Sequence, residues 1–172
     1  METEIVNKVA QSGIITLDLE QFYPAEPVAE FDLKKYLVKE LVLMEKPFRE
    51  ALKNINWGEY EGKLVAVYCS NDALIPLWAY MLVASCLEPY AKKIAFGYKE
   101  HAISEALKDA IAQIDVKEYA GARVVIKGCG DKALPPDAYI AVTARLQPVV
   151  QSLMYGEPCS TVPVYKKPLK PT

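Results

Sequence analysis

Three cysteines and the single histidine of this sequence follow predicted β-strands, where their side chains could ligate a metal. Cys69 and Cys129 follow the first strand of each half of an internal repeat, and His101 and Cys159 follow the second strands. Three thiolates with one imidazole form a tetrahedral zinc set, and cysteines are the usual anchors of iron–sulfur clusters. If all four strands lie in one parallel sheet, these side chains emerge at one edge and predict a site for zinc or an iron–sulfur cluster.

The alternative for these cysteines is packing. The sequence contains no closely spaced CxxC pair, and the interval from Cys129 to Cys159 matches no zinc-finger or zinc-ribbon spacing. Free cysteine is commonly buried as a small apolar residue, so this interpretation stays open for Cys69, Cys129 and Cys159. Cys86 stands beside Leu87 on a predicted helix and is assigned to the core.

The segment Lys127–Lys132 (KGCGDK) combines a thiol with two glycines ahead of a predicted helix start. Gly128 and Gly130 would let an anionic ligand approach the backbone amides closely. The same position would lower the pKa of the Cys129 thiol, which makes Cys129 the candidate nucleophile. The spacing is neither a P-loop nor GxGxxG, which argues against an ordinary nucleotide site.

Asp72 and Asp131 are the polar side chains that keep register in the two loops of the repeat. An aspartate before a helix can close an Asx turn or satisfy free backbone amides. The functional alternative is an acid–base or ligand couple formed by the two carboxylates. Both interpretations stay open.

The elements that must position these residues are an internal duplication. Residues 59–97 and 118–156 align without a gap, and twelve of the 39 positions are identical, against about two or three by chance. Each copy predicts a strand, a loop, a helix with an apolar face and a second strand, with Pro89 or Pro148 ending the helix. A βαβ unit of this length is normally parallel and right-handed.

The remaining segments complete one domain over residues 1–172. In the N-terminal part (1–55) we predict an edge strand near 13–20, a segment capped by Asp32 and running to Met44, and a short helix after Pro47. Between the copies we predict a helix over Ser104–Ile114, with Ser104 as its N-cap. The tail (162–172) is predicted to be extended. The predicted fold is a single α/β domain with a mainly parallel sheet and flanking helices.

Composition excludes several classes of protein. The chain has 52% hydrophobic and 24% charged residues and a net charge of −2, which is typical of a globular protein and gives no basic footprint for nucleic acid. No apolar run has the length of a membrane span, and the first residues lack an apolar signal core. We therefore expect a cytoplasmic protein with reduced thiols, no membrane and no nucleic-acid partner. An unidentified protein partner, or a homodimer formed through an edge strand, is left open.

Three segments resemble a known family: CSNDALIPLWAYML (69–82), VIKGCGD (125–131) and MYGEPCSTVPVYK (154–166). They are similar to the bacterial family called domain of unknown function 2480, and the likeness covers essentially the whole chain. The family has no established activity, so the resemblance transfers no catalytic residue. Its genes are associated with neighbourhoods of iron–sulfur cluster assembly, which favours the thiol hypotheses.

Two functions from different classes follow from the sequence. The first is an accessory or binding protein with a cysteine-containing loop site at the strand carboxyl ends, related to metal, iron–sulfur or sulfur handling. The second is a small thiol-dependent enzyme with Cys129 as nucleophile and Asp131 or Asp72 as polar support. If neither holds, the chain is a structural or interaction domain without a reactive site.

Overall fold

The structure is a computed structural model, and it describes residues 13–128, 130–157 and 159–168. The described residues form nine strands: β1 (Ile14–Leu17), β2 (Val28–Asp32), β3 (Leu37–Val38), β4 (Val42–Leu43), β5 (Leu64–Tyr68), β6 (Lys93–Phe96), β7 (Arg123–Lys127), β8 (Ser152–Glu157) and β9 (Ser160–Lys166). They also form four α-helices: α1 (Glu45–Lys53), α2 (Leu77–Leu87), α3 (Lys99–Ala112) and α4 (Pro136–Leu146). Short 3-10 helices cover Leu19–Phe22, Leu33–Tyr36, Trp57–Tyr60 and Val116–Tyr119. The mixed α/β class with parallel strands is confirmed.

The chain divides into two compact units. One is built from Met1–Tyr23 and Leu107–Thr172, and we call it the split unit. The other is Pro24–Ala106, which we call the continuous unit. That the whole chain forms a single domain stays a prediction.

The parallel strands lie in two sheets where the sequence predicted one, and the β3–β4 hairpin forms a third, two-stranded sheet. The sheet of the split unit has the order β1-β7-β8-β9, and that of the continuous unit has the order β2-β5-β6. The reason is that the N-terminal segment supplies two edge strands: β1 pairs in parallel with β7, and β2 pairs in parallel with β5. Each half of the repeat is thereby completed by a strand of its own.

Residues 59–97 and 118–156 each contain a strand, an α-helix and a second strand in that order. Strand β5 runs parallel to β6 with α2 between them in sequence, and β7 runs parallel to β8 with α4 between them. The apolar runs in β5 and β7 are buried almost throughout, as expected for parallel strands covered on both faces. Each helix buries its three aligned apolar residues completely: Ala79, Val83 and Leu87 in α2, and Ala138, Val142 and Leu146 in α4.

An aromatic cluster fills the core of the continuous unit. The Phe31 ring stacks with Tyr36 and with Trp57, each at 5.6 Å between ring centroids. Phe48, 1% exposed, meets Tyr36 edge-on at 5.3 Å and lies 6.2 Å from Trp78. These contacts join the 3-10 helix after β2 to α1 and α2.

Two local predictions need correction. Helix α3 begins at Lys99 and not at Ser104, and Ser104 lies buried inside it, 6% exposed. Asp32 is a cap, but only of the four-residue 3-10 helix Leu33–Tyr36, because the chain then forms the β3–β4 hairpin. The start of the predicted extended tail belongs to β9, which pairs antiparallel with β8. The last residues of the chain, 169–172, lie outside the described residues.

Candidate functional site

A polar cleft of about 470 Å³ lies at the carboxyl ends of β1, β7 and β8 in the split unit. The ends of parallel strands are where open α/β sheets bind ligands. The residues that line this polar cleft are Asp18, Glu20, Lys127, Gly128, Gly130, Lys132, Leu134, Tyr139 and Tyr155.

Asp18 is the best-connected carboxylate of the polar cleft. It follows β1 and caps the 3-10 helix Leu19–Phe22, where its Oδ1 accepts the N–H of Glu20 at 2.9 Å. Its Oδ2 accepts from the Lys127 ammonium at 2.8 Å, which links the end of β1 to the end of β7. Both side chains remain about one third exposed, 33% for Lys127 and 38% for Asp18, so a ligand can reach the pair.

The ion pair holds both groups in their charged forms. The hydrogen bond from Lys127, followed by that from the Glu20 N–H, lowers the pKa of Asp18 below its ordinary value. The hydrogen bond to Asp18 in turn raises the pKa of Lys127. The pair is therefore ionised throughout the neutral range.

This pair predicts an acid-dependent contribution to stability. Because the folded-state pKa of Asp18 is lowered, the contribution is present above the unfolded pKa of about 3.9 and is lost as the pH falls through the folded value. Urea unfolding of the wild type, Asp18→Asn, Lys127→Met and the double variant gives the coupling free energy of the pair. We expect a favourable coupling at pH 7 that begins to fall near pH 4 and is lost as the pH passes below the folded pKa of Asp18. A coupling that stays constant between pH 7 and pH 3 would contradict the assignment.

Two side chains approach the backbone closely at Gly128 and Gly130. A Cβ at Gly128 would lie 2.8 Å from Cζ of Tyr155, whose hydroxyl donates to the Gly128 carbonyl at 3.1 Å. A Cβ at Gly130 would lie 1.9 Å from Oε1 of Glu20, and the same oxygen accepts the N–H of Lys132 at 2.6 Å. Gly128 thus contacts the Tyr155 phenol, and Gly130 contacts the Glu20 carboxylate. A ligand-binding role of Gly128 and Gly130 stays a prediction.

The polar cleft contains a second ammonium group. The Lys132 ammonium lies 4.6 Å from the ring centroid of Tyr23, which is a cation–π contact. The two positive charges of Lys127 and Lys132 balance the two negative charges of Asp18 and Glu20. The polar cleft therefore presents charges of both signs and no net excess of either.

An apolar groove of about 620 Å³ adjoins the polar cleft in the same unit. It runs along α4, β8 and β9, and Tyr139 and Tyr155 line both cavities. Their rings meet edge-to-face at 5.8 Å and 73°. This tyrosine pair thus forms the boundary between polar and apolar surface.

The continuous unit contains a second aspartate with the same local geometry. Asp32 follows β2, has φ −93° and ψ 116° against −95° and 113° for Asp18, and accepts the N–H of Lys34 at 2.9 Å. Its carboxylate also accepts the Ser70 N–H at 3.0 Å and the Ser70 hydroxyl at 2.6 Å. Burial alone would raise the pKa of Asp32, but the hydrogen bonds from Ser70 and Lys34 outweigh it and lower the pKa.

The predicted metal ligands are distributed over both units. Cys69 follows β5 and His101 lies in α3, both in the continuous unit, whereas Cys159 is exposed in the turn between β8 and β9 of the split unit. Cys129 lies outside the described residues. Among the described residues, no group of three or more His, Cys, Asp or Glu side chains is arranged to hold a metal ion. A set that includes Cys129 stays a prediction.

His101 and Cys69 each have a structural partner. His101 Nδ1 accepts the Tyr98 N–H at 3.1 Å at the start of α3, and a Cβ at Gly97 would lie 2.7 Å from its ring. Cys69 is half-buried against the core of the continuous unit. A metal-ligating role of His101 and Cys69 stays a prediction. Cys86 lies in the same core, where burial raises its pKa.

Asp72 and Asp131 are both exposed and stand in the loops after β5 and β7. The strands that these loops follow, β5 and β7, belong to different sheets. An acid–base couple of Asp72 and Asp131 stays a prediction. The carboxylates that line the polar cleft are Asp18 and Glu20, which come from outside the repeat.

Sequence reasoning missed Asp18 and Glu20. The signal was present as a second, shorter repeat: Leu17–Phe22 (LDLEQF) and Phe31–Tyr36 (FDLKKY) align at an offset of 14 residues. An aspartate followed by a buried leucine and, three residues later, an aromatic ring is the pattern of a capped 3-10 helix after a strand.

The chain matches the family model described as "Protein of unknown function (DUF2480)" over residues 3–167. The chain belongs to this family. The match extends over the lining of the polar cleft and over Asp32 and Ser70. No match was found among curated proteins or among solved structures. None of the helices in the described part of the chain combines the length and apolar character needed to cross a membrane.

Proposed function

We propose that this chain is a binding or accessory protein whose ligand occupies the polar cleft of the split unit. The observation that carries the proposal is the held loop at the end of β7, where Tyr155 contacts Gly128 and Glu20 contacts Gly130. Contacts that hold the backbone of Gly128 and Gly130 before binding reduce the conformational entropy that is lost when a ligand arrives. Its place at the carboxyl ends of parallel strands supports the same role.

A comparison of the two units supports this choice of site. At the position of Glu20, the continuous unit has Lys34, 14 residues later. At the position of Tyr155, it has Phe96, 59 residues earlier, which lacks the hydroxyl. Packing of a parallel sheet does not require a charged or hydroxyl group at these positions. The polar set in one unit is therefore best explained by a ligand.

We further propose that both units derive from one duplicated β-turn-βαβ framework, which makes these positions comparable. Backbone geometry at aligned glycines supports it, with φ +69° at both Gly62 and Gly121, and +114° and +123° at Gly97 and Gly156. The aligned turns also make the same bond: the Gly62 N–H donates to the Tyr90 carbonyl at 2.9 Å, and the Gly121 N–H donates to the Val149 carbonyl at 2.8 Å.

The described donors of the polar cleft fit a polar organic or sulfur-containing ligand better than a resident metal ion. The Asp18 carboxylate is held by Lys127 and the Glu20 N–H, and the Glu20 carboxylate is held by the Lys132 N–H. The Lys127 ammonium would compete with a metal cation for the Asp18 carboxylate, and the described residues hold no group of three or more His, Cys, Asp or Glu side chains arranged for a metal. Cys129, between Gly128 and Gly130 in sequence, is the group proposed to contact or react with the ligand.

Native mass spectrometry and elemental analysis of protein purified without oxygen test the binding function. We expect a bound mass on the wild type and on Lys34→Ala, the matched control in the continuous unit. We expect at least about tenfold less retention on Glu20→Ala and Tyr155→Phe, because the first removes the acceptor of the Lys132 N–H and the second removes the hydroxyl that bonds to Gly128. Equal retention by all four proteins, or no bound mass on any, would contradict the proposal.

A thiol-dependent enzyme with Cys129 as nucleophile is the second candidate, favoured by the two cleft-lining glycines on either side of it in sequence. Alkylation at neutral pH followed by peptide mapping distinguishes the two. Cys159 is exposed and labels readily, whereas Cys86, whose pKa is raised by burial, labels at least about tenfold more slowly. Cys129 labelling faster than Cys159 favours the enzyme. Labelling as slow as that of Cys86 excludes a reactive thiolate.

A further inference from the structure

Strand β6 has an open edge in the continuous unit. It is the last strand of the order β2-β5-β6, and no strand among the described residues pairs with its other side. The N–H groups of Lys93 and Gly97 point back to the preceding strand, to the carbonyls of Lys63 and Val67. By the alternation of a strand, Ile94 and Phe96 direct their N–H and C=O groups to the open side.

Large apolar side chains are exposed beside this edge. Phe96 is 74% exposed, and its ring meets Tyr80 of α2 edge-to-face at 5.4 Å. Leu77 and Met81, one turn apart on the same helix, are 79% and 72% exposed. Exposed apolar side chains near an unpaired strand edge are typical of a protein interface.

The split unit shows which kind of element occupies the corresponding edge. Its strand β8 aligns with β6 and carries β9 as an antiparallel partner, with Tyr155 opposite Val162. The aligned aromatic residue there, Tyr155, is 41% exposed, against 74% for Phe96. The framework therefore accepts an antiparallel strand on this side, and the continuous unit lacks one among its described residues.

We infer that β6 pairs antiparallel with β6 of a second copy of this chain, which joins two continuous units into a six-stranded sheet. The geometry of the open edge allows a register with Ala95 opposite Ala95 and Ile94 opposite Phe96. This register places a β-branched residue against an aromatic ring twice, a favourable cross-strand pair, and sets Lys93 against Gly97 and not against a second lysine. Pairing with a second copy fills the open β6 edge of both chains at once, and the assembly closes as a two-fold dimer.

The surface on α2 contributes to the same interface. Ile94 packs against the core on the α2 side of the sheet, and Phe96 contacts Tyr80 on that side. Pairing of the two β6 strands therefore brings the Phe96 and Met81 side chains of both copies toward the junction and removes them from water. The inference is independent of the polar cleft, which lies in the other unit.

Sedimentation velocity over a concentration series tests the dimer. We expect a dimer for the wild type, and for Phe96→Lys and Met81→Lys a dissociation constant raised at least about tenfold. Ile140→Lys, 67% exposed at the position that aligns with Met81 in the split unit, is the matched control and remains dimeric. Far-UV circular dichroism confirms that each variant is folded.

Hydrogen exchange of the wild type tests the strand pairing itself. The amides of Ile94 and Phe96 should be protected at concentrations above the dissociation constant and exchange at least about tenfold faster below it. A monomer at all concentrations, or a dimer in which these amides exchange at the same rate as in the monomer, overturns the inference. Purification of the wild type in a stoichiometric complex with a different protein on β6 overturns the choice of a second copy.

Discussion

Replacement of Gly156 by alanine lowers the free energy of unfolding by about 3 kcal/mol. Gly156 lies in β8 with φ +123°, a conformation that side chains rarely adopt, and an added Cβ would lie 2.5 Å from the carbonyl oxygen of Ser160. The clash is with backbone of the β8–β9 hairpin, so rotation of a side chain cannot relieve it. Urea unfolding followed by far-UV circular dichroism measures the loss.

Gly121 provides the matched control in the same unit. Its φ is +69°, and no atom lies within 4 Å of an added Cβ. Gly121→Ala should therefore lower the free energy of unfolding by only about 1 kcal/mol, the cost of a left-handed backbone conformation for alanine. The expected order of stability is wild type, Gly121→Ala, Gly156→Ala. Equal losses for the two variants would mean that the close approach to Ser160 does not limit residue 156.

Phe48→Ala lowers the free energy of unfolding by about 3–5 kcal/mol. The side chain is 1% exposed and contacts the aromatic cluster around Phe31, so truncation removes buried area and leaves a cavity. Both tryptophans of the chain, Trp57 and Trp78, belong to the continuous unit and pack against that cluster. Tryptophan fluorescence during urea unfolding therefore reports the loss directly.

Two further variants make this measurement informative about the domain organisation. Leu41→Ala, 64% exposed in the same unit, should change stability by less than about 0.5 kcal/mol. Leu146→Ala truncates a fully buried residue of the split unit. If the chain unfolds as the single domain that the sequence predicts, Leu146→Ala shifts the fluorescence transition by as much as the circular dichroism transition. If only the circular dichroism transition moves, the two units unfold separately.

The gapless repeat predicted the strands and helices of residues 59–97 and 118–156 well because strong local patterns specify them. Apolar β-branched runs produced β5 and β7 at the predicted residues, and the spacing of Ala79, Val83 and Leu87 matches the buried face of α2. Helix α3 was less well predicted because Ser104, an apparent N-cap, is a buried residue inside it. The helix begins instead where the Tyr98 N–H meets the His101 ring.

The polar cleft was predicted in part. The carboxyl end of β7 and its two glycines were identified from the sequence, but their closest partners are distant in the chain: Glu20 is 110 residues from Gly130, and Tyr155 is 27 residues from Gly128. Contacts over such separations leave no periodic signal in the chain. The metal set predicted from Cys69, Cys129, Cys159 and His101 assumed one parallel sheet, whereas the parallel strands lie in two sheets.

By itself, the sequence determined the α/β class, the elements of the repeat and the family, because each depends on local patterns or on similarity along the chain. The tertiary structure alone decided which edge strand completes each sheet. Strands β1 and β2 have similar apolar patterns, and each is followed by an aspartate, so these patterns do not specify which of them pairs with β5 and which with β7. The choice depends on packing between distant segments. That choice puts Asp18 beside Lys127 and Asp32 beside Ser70, and it leaves β6 with an open edge among the described residues.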